Sequence, residues 1–174
     1  VGYETTESTS KVLAVLPVVS DSTEGGNTVE IFLDLTAFYA ESGGQVGDTG
    51  VITSSTGEAR VVDTTFALPG LRKHTCEMTR GVIESGQQVQ ASVDVTVRDA
   101  TRRNHTATHV LHWALRQVLG EHVKQAGSLV SDERLRFDFS HYASVTQDEI
   151  EQIERLANSE VLRNTQTRNY ETSK

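Results

Sequence analysis

Several things are scarce in this sequence, and each scarcity removes a class of protein. It has one cysteine, Cys76. With no second thiol there is no internal disulfide framework, and one thiolate makes no zinc knuckle. A lone cysteine fits a reducing compartment, and the chain is expected to be cytoplasmic. No apolar run approaches the roughly 20 residues of a membrane-spanning helix, and the N-terminus lacks the basic and apolar regions of a signal peptide, so no membrane partner is expected. Positive charge is short as well: 16 Lys and Arg against 24 Asp and Glu leave a formal net charge of −8. That balance argues against strong non-specific binding to nucleic acid, and no DNA partner is expected, although local basic contacts stay open. No P-loop and no dinucleotide glycine pattern is present, so ATP contact in this piece is not expected. The single methionine, Met78, is internal; the chain is expected to be a piece of something longer, or a processed product.

What is present fits a folded protein. The 174 residues, 36% hydrophobic and 23% charged, suffice for one large domain or two small ones with a real core. Residues 1–10 are Thr/Ser-rich and polar and read as a frayed lead-in. From Lys11 to about Asp94 the pattern is all β. Apolar stretches at Val12–Val19, Val29–Leu35, Arg60–Phe66 and Val89–Val95 are divided by Gly-rich or polar breaks at Glu24–Asn27, Ser54–Gly57 and Glu84–Gln87. About six strands are expected here, in a small barrel or sandwich, since closure removes exposed edges.

Within this half lies Glu41-Ser42-Gly43-Gly44-Gln45-Val46-Gly47-Asp48-Thr49-Gly50. Glycines so dense mean turns with φ > 0 or a close approach to another surface. Two readings stand side by side: a hairpin loop, or a loop whose amides and Gln45 face a ligand held elsewhere.

The character switches near Val95. Thr96 with Asp99 three positions later fits a capping box opening a helix to about Leu119, with Gly120 just past its end. Gln125–Val130 and Arg134–Phe139 read as a strand pair around Ser131-Asp132-Glu133, with Leu135, Phe137 and Phe139 on one face. A second capping box, Thr146 to Glu149, opens a helix with the stripe Ile150, Ile153, Ala157 and Val161, ending near Asn164. Thr167–Thr172 is expected to begin another strand. The fold class is therefore α+β: a small N-terminal β-barrel over 1–94, then an α+β unit over 95–174.

The first helix carries the chemistry. In Arg102-Arg103-Asn104-His105-Thr106-Ala107-Thr108-His109-Val110-Leu111-His112, the histidines His105, His109 and His112 fall within roughly 60° on one face at about 100° per residue. Ala107, Leu111, Ala114 and Val118 lie opposite, as the packing stripe. Two histidines at i and i+4 offer two imidazole nitrogens to one metal ion; the alternative is a polar face that happens to be histidine-rich. Arg98, Arg102 and Arg103 cluster at the helix start, where a phosphate could meet them, or form a solvated face. A zinc-protease reading fails on chemistry, because Thr106 stands where that motif needs its glutamate base.

The strings Arg103–His109, Gln125-Ala126-Gly127-Ser128-Leu129-Val130 and Arg134-Leu135-Arg136-Phe137-Asp138-Phe139-Ser140-His141 resemble the editing domain of the alanyl-tRNA synthetase family. The Glu41–Gly50 loop resembles the glycine-rich motif of the barrel that precedes it. These four motifs cover nearly the whole chain in the family's order. The resemblance implies a fragment from the middle of a class II synthetase, whose second half is the start of an editing domain of the threonyl/alanyl type, truncated at its C-terminus. It implies zinc-dependent hydrolysis of tRNA(Ala) wrongly charged with serine or glycine. An activation pocket that admits alanine cannot exclude smaller glycine, and serine differs by one hydroxyl. By position, His105 and His109 match the family's zinc ligands. The family completes that site with a downstream Cys-x-x-x-His that this sequence does not reach, so the zinc site here is incomplete. Gln125 matches a glutamine near the metal, Thr108 the threonine that senses the serine hydroxyl, and Gln45 the loop glutamine. Ser128, Gly43 and Gly44, with Arg102 and Arg103, would face the substrate, the 3′ end of tRNA(Ala). Without the family, Thr108 would read as a helix threonine bonding its own backbone. ATP and magnesium would belong only to the absent activating module. Little bound zinc and weak deacylation are expected of the chain as given. The alternatives are a free-standing trans-editing deacylase and a non-catalytic tRNA-binding module.

Overall fold

Along Glu7–Pro17 the side chains of Ser8, Ser10 and Val12 are buried while their neighbours are exposed, the period of two of a strand with one face inward. The inward residues are small because this strand lines the interior of a narrow barrel. The computed structural model describes residues 5–18 and 27–165. Its first half comprises β1 (Glu7–Pro17), β2 (Thr28–Leu33), β3 (Gly50–Thr53), β4 (Gly57–Leu68), β5 (Leu71–Gly81) and β6 (Gln88–Val93). They close in the order β1-β2-β5-β4-β3-β6, every pairing antiparallel. The six strands expected are there, as a barrel and not a sandwich. One expectation is corrected: β1 starts at Glu7, inside the stretch read as frayed. Glu7–Lys11 pairs with Gln88–Ser92 of β6, and that ladder closes the barrel. Of the expected breaks, Glu24–Gly26 lie outside the described residues, as do residues 1–4.

The barrel core gathers Val12, Ile31, Phe38, Ile52, Val61, Cys76, Val89 and Ala91. In β4 the inward residues are Gly57, Ala59 and Val61, then Thr64. The alternation slips by one because the register against β5 shifts between Val61 and Asp63, the mark of a β-bulge. One core residue is polar. His74 is fully buried, donates Nδ1–H to the Ile31 carbonyl at 2.9 Å and accepts from the Thr36 hydroxyl at 2.9 Å. Burial holds its pKa down, to about 4, so it is a neutral imidazole with both nitrogens satisfied.

The second half comprises α1 (Val95–Leu119), β7 (Lys124–Val130), β8 (Leu135–Ser140) and α2 (Gln147–Arg163). The N-cap of α1 is Asp94, not Thr96: the Asp94 carboxylate accepts from the backbone N–H of Thr96 at 2.9 Å and of Val97 at 3.1 Å. Asp94 keeps the extended backbone of the strand it leaves, whereas Thr96 is already inside the first turn. Asp99 instead pairs with Arg102. The capping box of α2, Thr146 with Glu149, forms as expected, and the helix ends on Asn164 in the left-handed region. Ala114, Leu115, Val123 and Ile153 are buried together, with Leu111, Val118, Phe137, Phe139, Leu156 and Ala157 packed around them. The stripe expected on α2 is thus partly corrected. Ile153 and Ala157 pack, but Ile150 and Val161 are 40% and 61% exposed, and Leu156 takes their place. The buried face is rotated toward Leu156, which leaves Ile150 and Val161 roughly 60–80° round from Ile153. The strand expected over Thr167–Thr172 lies outside the described residues. Among the described residues no helix is long and apolar enough to cross a membrane.

Candidate functional site

Helix α1 runs beside the β7–β8 hairpin, and its first half also faces the glycine-rich loop of the barrel. That loop is not a hairpin, since it joins β2 to β3, which are not neighbours in the barrel. It folds back on itself through reciprocal bonds between Ser42 and Gln45, then docks along β7. Val130 N–H donates to the Gly44 carbonyl at 2.8 Å, and Val46 N–H to the Val130 carbonyl at 3.0 Å. The contact is so close that a Cβ on Gly44, whose φ is +84°, would sit 2.4 Å from the Ser128 carbonyl oxygen. Only glycine fits there.

On α1, His105 and His109 are one turn apart, and their Nε2 atoms lie 3.1 Å from each other. The ring centroids are 5.0 Å apart, so the two imidazoles meet edge to edge. His105 Nδ1–H donates across to Gln45 Oε1 at 2.6 Å. That bond fixes the proton on Nδ1 and leaves a lone pair on Nε2. Burial, and then the neighbouring His109, lower the pKa of His105, so this ring favours its neutral form. His112 does not join the pair. It turns into the helix–hairpin packing, with its ring 5.2 Å from Phe137 and Nε2 facing the Val123 carbonyl at 3.4 Å.

The loop carries the network onward. The Ser128 hydroxyl donates to the Gly43 carbonyl at 3.4 Å and accepts from Gln125 Nε2 at 3.0 Å. Gln45, Gly43, Gly44, Ser128 and Gln125 therefore form one connected set that touches the imidazole pair through Gln45. Thr108 is buried, and its hydroxyl donates to the Asn104 carbonyl one turn back at 2.9 Å. Arg102 is exposed and lies within roughly 60° of His105 and His109 around the helix, whereas Arg103 lies roughly 120–160° from them, on the other side of the helix. The arginine cluster expected at the helix start is corrected: Arg98 turns inward to Asp48 and is not part of a surface patch. Asn104, not singled out from the sequence, clamps the hairpin turn by donating Nδ2–H to the carbonyls of Ser131 at 2.8 Å and Asp132 at 3.2 Å.

Two tetrahedral zinc ligands at ~2.0–2.1 Å from the ion lie about 3.3 Å from one another. The 3.1 Å between the two Nε2 atoms is close to that span, so the pair fits as two donors of a set. Among the described residues no three His, Cys, Asp or Glu side chains converge as a metal-holding group. A second imidazole pair, His122 Nε2 and His141 Nδ1 at 2.8 Å, lies at the other end of the hairpin under Tyr142.

The chain is similar to known proteins along nearly its whole length. The family model described as tRNA synthetases class II (A) matches residues 1–97, more than half of the chain. An alanine–tRNA ligase of Shouchella clausii is 52% identical over 164 residues, 92% of this chain and 19% of that protein. One from Solibacter usitatus is 50% identical over 169 residues, 94% of this chain and 19% of that protein. One from Pelotomaculum thermopropionicum is 45% identical over 175 residues, 99% of this chain and 20% of that protein. The chain spans about a fifth of the length of these relatives. A match to the family model across the whole barrel, continued at this identity through the histidine helix and the hairpin, establishes that the chain belongs to the class II (A) tRNA synthetases.

Proposed function

We propose that this chain is part of the editing half of an alanine–tRNA ligase and contributes to hydrolysis of tRNA(Ala) mischarged with serine or glycine. In the complete protein, ATP-dependent alanylation would occur in a separate module that also holds ATP and magnesium, and the protein would work in the cytoplasm. The observation that carries the reading is the contact of Gln45 with the His105–His109 pair: a barrel loop and a helix from the other half of the chain are joined at two edge-to-edge imidazoles.

His105 and His109 would hold zinc through their Nε2 atoms, with the remaining donors supplied from outside this chain. Zinc bound there supplies Lewis-acid polarisation next to the scissile ester. The chain's own groups do the rest. Gln45 keeps the proton of His105 on Nδ1, away from the metal side. Gln125, Ser128 and the backbone of Gly43 and Gly44 line the adjoining surface with amide, hydroxyl and carbonyl groups that orient the ester. Arg102, on the helix face of the pair, is placed to meet a phosphate of the tRNA 3′ end, with Arg103 reaching backbone further out. The Thr108 hydroxyl has its hydrogen committed to Asn104. Its lone pairs are left to accept from a serine hydroxyl, a group alanine lacks.

The test is deacylation of seryl-, glycyl- and alanyl-tRNA(Ala) by this chain and by a longer chain carrying the downstream sequence. Loss of seryl and glycyl ester hydrolysis by the longer chain in the His105→Ala variant, with alanyl-tRNA(Ala) spared throughout, supports the reading. Equal rates for variant and parent overturn it. One other reading is a tRNA-binding module whose histidines are structural, each Nε2 having the other as its partner at 3.1 Å. A longer chain that binds tRNA(Ala) but neither zinc nor hydrolyses any ester would establish that reading instead. A free-standing deacylase would share the chemistry, and sequencing the parent gene before Val1 and past Lys174 separates it from a synthetase.

A further inference from the structure

Helix α1 meets the glycine-rich loop at two places, and only the second touches the imidazole pair. The first is Arg98 against Asp48, whose side chains are 11% and 6% exposed. Asp48 is held on the barrel from several directions. Its carboxylate accepts from Tyr39 N–H at 2.6 Å, its own N–H donates to the Tyr39 carbonyl at 2.9 Å, and its carbonyl accepts from the Thr64 hydroxyl at 2.8 Å. The Arg98 guanidinium then forks onto it: Nε lies 3.3 Å from the carboxylate, and one terminal nitrogen donates both to that carboxylate and to the Ala37 carbonyl, the latter at 2.7 Å.

The spacing makes the two contacts a pair. Arg98 and His105 are seven residues apart, close to two full turns and about 10.5 Å along the same face of the helix. Asp48 and Gln45 are three residues apart in the loop, which spans up to about 10 Å. The helix is thus fixed to the loop by two directional rungs. A buried ion pair is a poor source of net stability compared with apolar side chains of the same volume, but its geometry is specific. Two leucines here would let the helix turn; one residue of slippage, about 100°, would carry His105 Nδ1 away from Gln45.

We propose that Arg98 and Asp48 are positioning residues: they set the register of α1 on the loop so that Gln45 Oε1 meets His105 Nδ1, which holds the His105 proton on Nδ1 and presents Nε2 as a lone pair. That this serves metal binding and ester hydrolysis rests on the function proposed above; the tautomer itself does not. The test is nitrogen-15 NMR of the imidazoles in the metal-free 174-residue chain, comparing the parent with Arg98→Met and Arg98→Lys. In the parent, His105 gives the signature of a single Nδ1–H tautomer. In Arg98→Met that signature is lost toward the Nε2–H form, and Arg98→Lys, which keeps the charge but not the fork, shows part of the loss. His74, whose Nδ1–H is held by Ile31 inside the barrel, reports folding and stays unchanged. An unchanged His105 in either variant that keeps the His74 signature overturns the proposal. Loss of the His74 signature in both variants also overturns it, because the pair would then hold the barrel together and not the site. No metal, tRNA or turnover enters the measurement, so failure of the editing assignment leaves its result standing, and the reverse.

Discussion

His105 offers one ring nitrogen to the barrel and the other to its own helix: Nδ1 is 2.6 Å from Gln45 Oε1, and Nε2 is 3.1 Å from His109 Nε2. The neutral amide oxygen of Gln45 orients the ring without adding charge. Replacing it with a carboxylate changes that. In Gln45→Glu the imidazolium gains an opposite charge at hydrogen-bond distance, which favours the protonated form. The pKa of His105, held below the ordinary histidine value by burial and by His109, is expected to move upward. Protons would then compete with a metal ion for the pair at higher pH. An NMR pH titration of the His105 ring checks this; a midpoint that stays put or falls would mean Gln45 does not face the ring.

The two neighbouring glycines of the loop should respond differently to a methyl group. Gly43 has φ of +61° with nothing within 4 Å of a built Cβ, so Gly43→Ala costs only the left-handed backbone penalty, about 1 kcal/mol. Gly44 has φ of +84° and would place its Cβ 2.4 Å from the backbone oxygen of Ser128. Gly44→Ala adds a clash that can be relieved only by lifting the loop from β7, and roughly 2 kcal/mol or more is expected. Urea unfolding of both variants gives the comparison. Adding Ser128→Ala to Gly44→Ala should not restore stability, because it removes the hydroxyl oxygen at 2.6 Å but leaves the nearer obstructing atom, the main-chain oxygen at 2.4 Å. Equal midpoints for the two single variants would contradict the docking of this loop on β7.

His74 makes the barrel sensitive to acid. Its pKa is near 4 in the folded chain, against an ordinary 6.5, because burial penalises the imidazolium. Below pH 6.5 the unfolded chain takes up a proton that the folded chain refuses, so the unfolded state is favoured increasingly as pH falls. The stabilisation from neutral His74 is therefore complete above about 6.5, declines between 6.5 and about 4, and has no further slope below that. The whole interval is worth roughly 3 kcal/mol. His105, also lowered, acts in the same direction. His74→Gln is expected to be less stable than the parent at pH 7.5 but to lose less between pH 6.5 and 4. Parallel stability-against-pH curves for the two proteins would place His74 in contact with solvent.

Much of this was legible in the sequence because it is periodic or local. The alternation of Val89, Ala91 and Val93, the apolar face of Leu135, Phe137 and Phe139, and the four-residue spacing of His105 and His109 follow from the geometry of strand and helix. What escaped depends on partners distant in the chain. Arg98 finds Asp48 across 50 residues, and His105 finds Gln45 across 60, with no repeat to announce either. The docking of the loop on Val130 is likewise invisible in Glu41–Gly50, whose glycines tell of a close approach but not of what is approached. On α2, Ile150 and Val161 obey the helical period yet lie at one edge of the buried face, since period alone does not choose between adjacent faces. At Thr108 the reading from residue chemistry alone, a hydroxyl bonded to its own backbone, matches the bond to Asn104.

The start of α1 shows how two suitable capping residues, two positions apart, are told apart by backbone conformation. Asp94 leaves β6 extended, and its carboxylate reaches the N–H groups of Thr96 and Val97. It also accepts the first helical bond through its carbonyl, from Arg98 N–H at 3.0 Å. Thr96 cannot act as cap because its own N–H is one of those being capped. Asp94→Ala is therefore expected to cost about 1 kcal/mol, while Thr96→Ala, a change inside the first turn toward a better helix former, should change stability by no more than a few tenths. Asp94→Asn, which keeps the accepting oxygen, should retain most of the parent's stability. Thermal unfolding of the three variants checks the order. Because Arg98 follows in the same turn, hydrogen exchange at its N–H should accelerate in Asp94→Ala and not in Thr96→Ala. The opposite pattern would return the cap to Thr96 and move the helix start away from the strand that positions it.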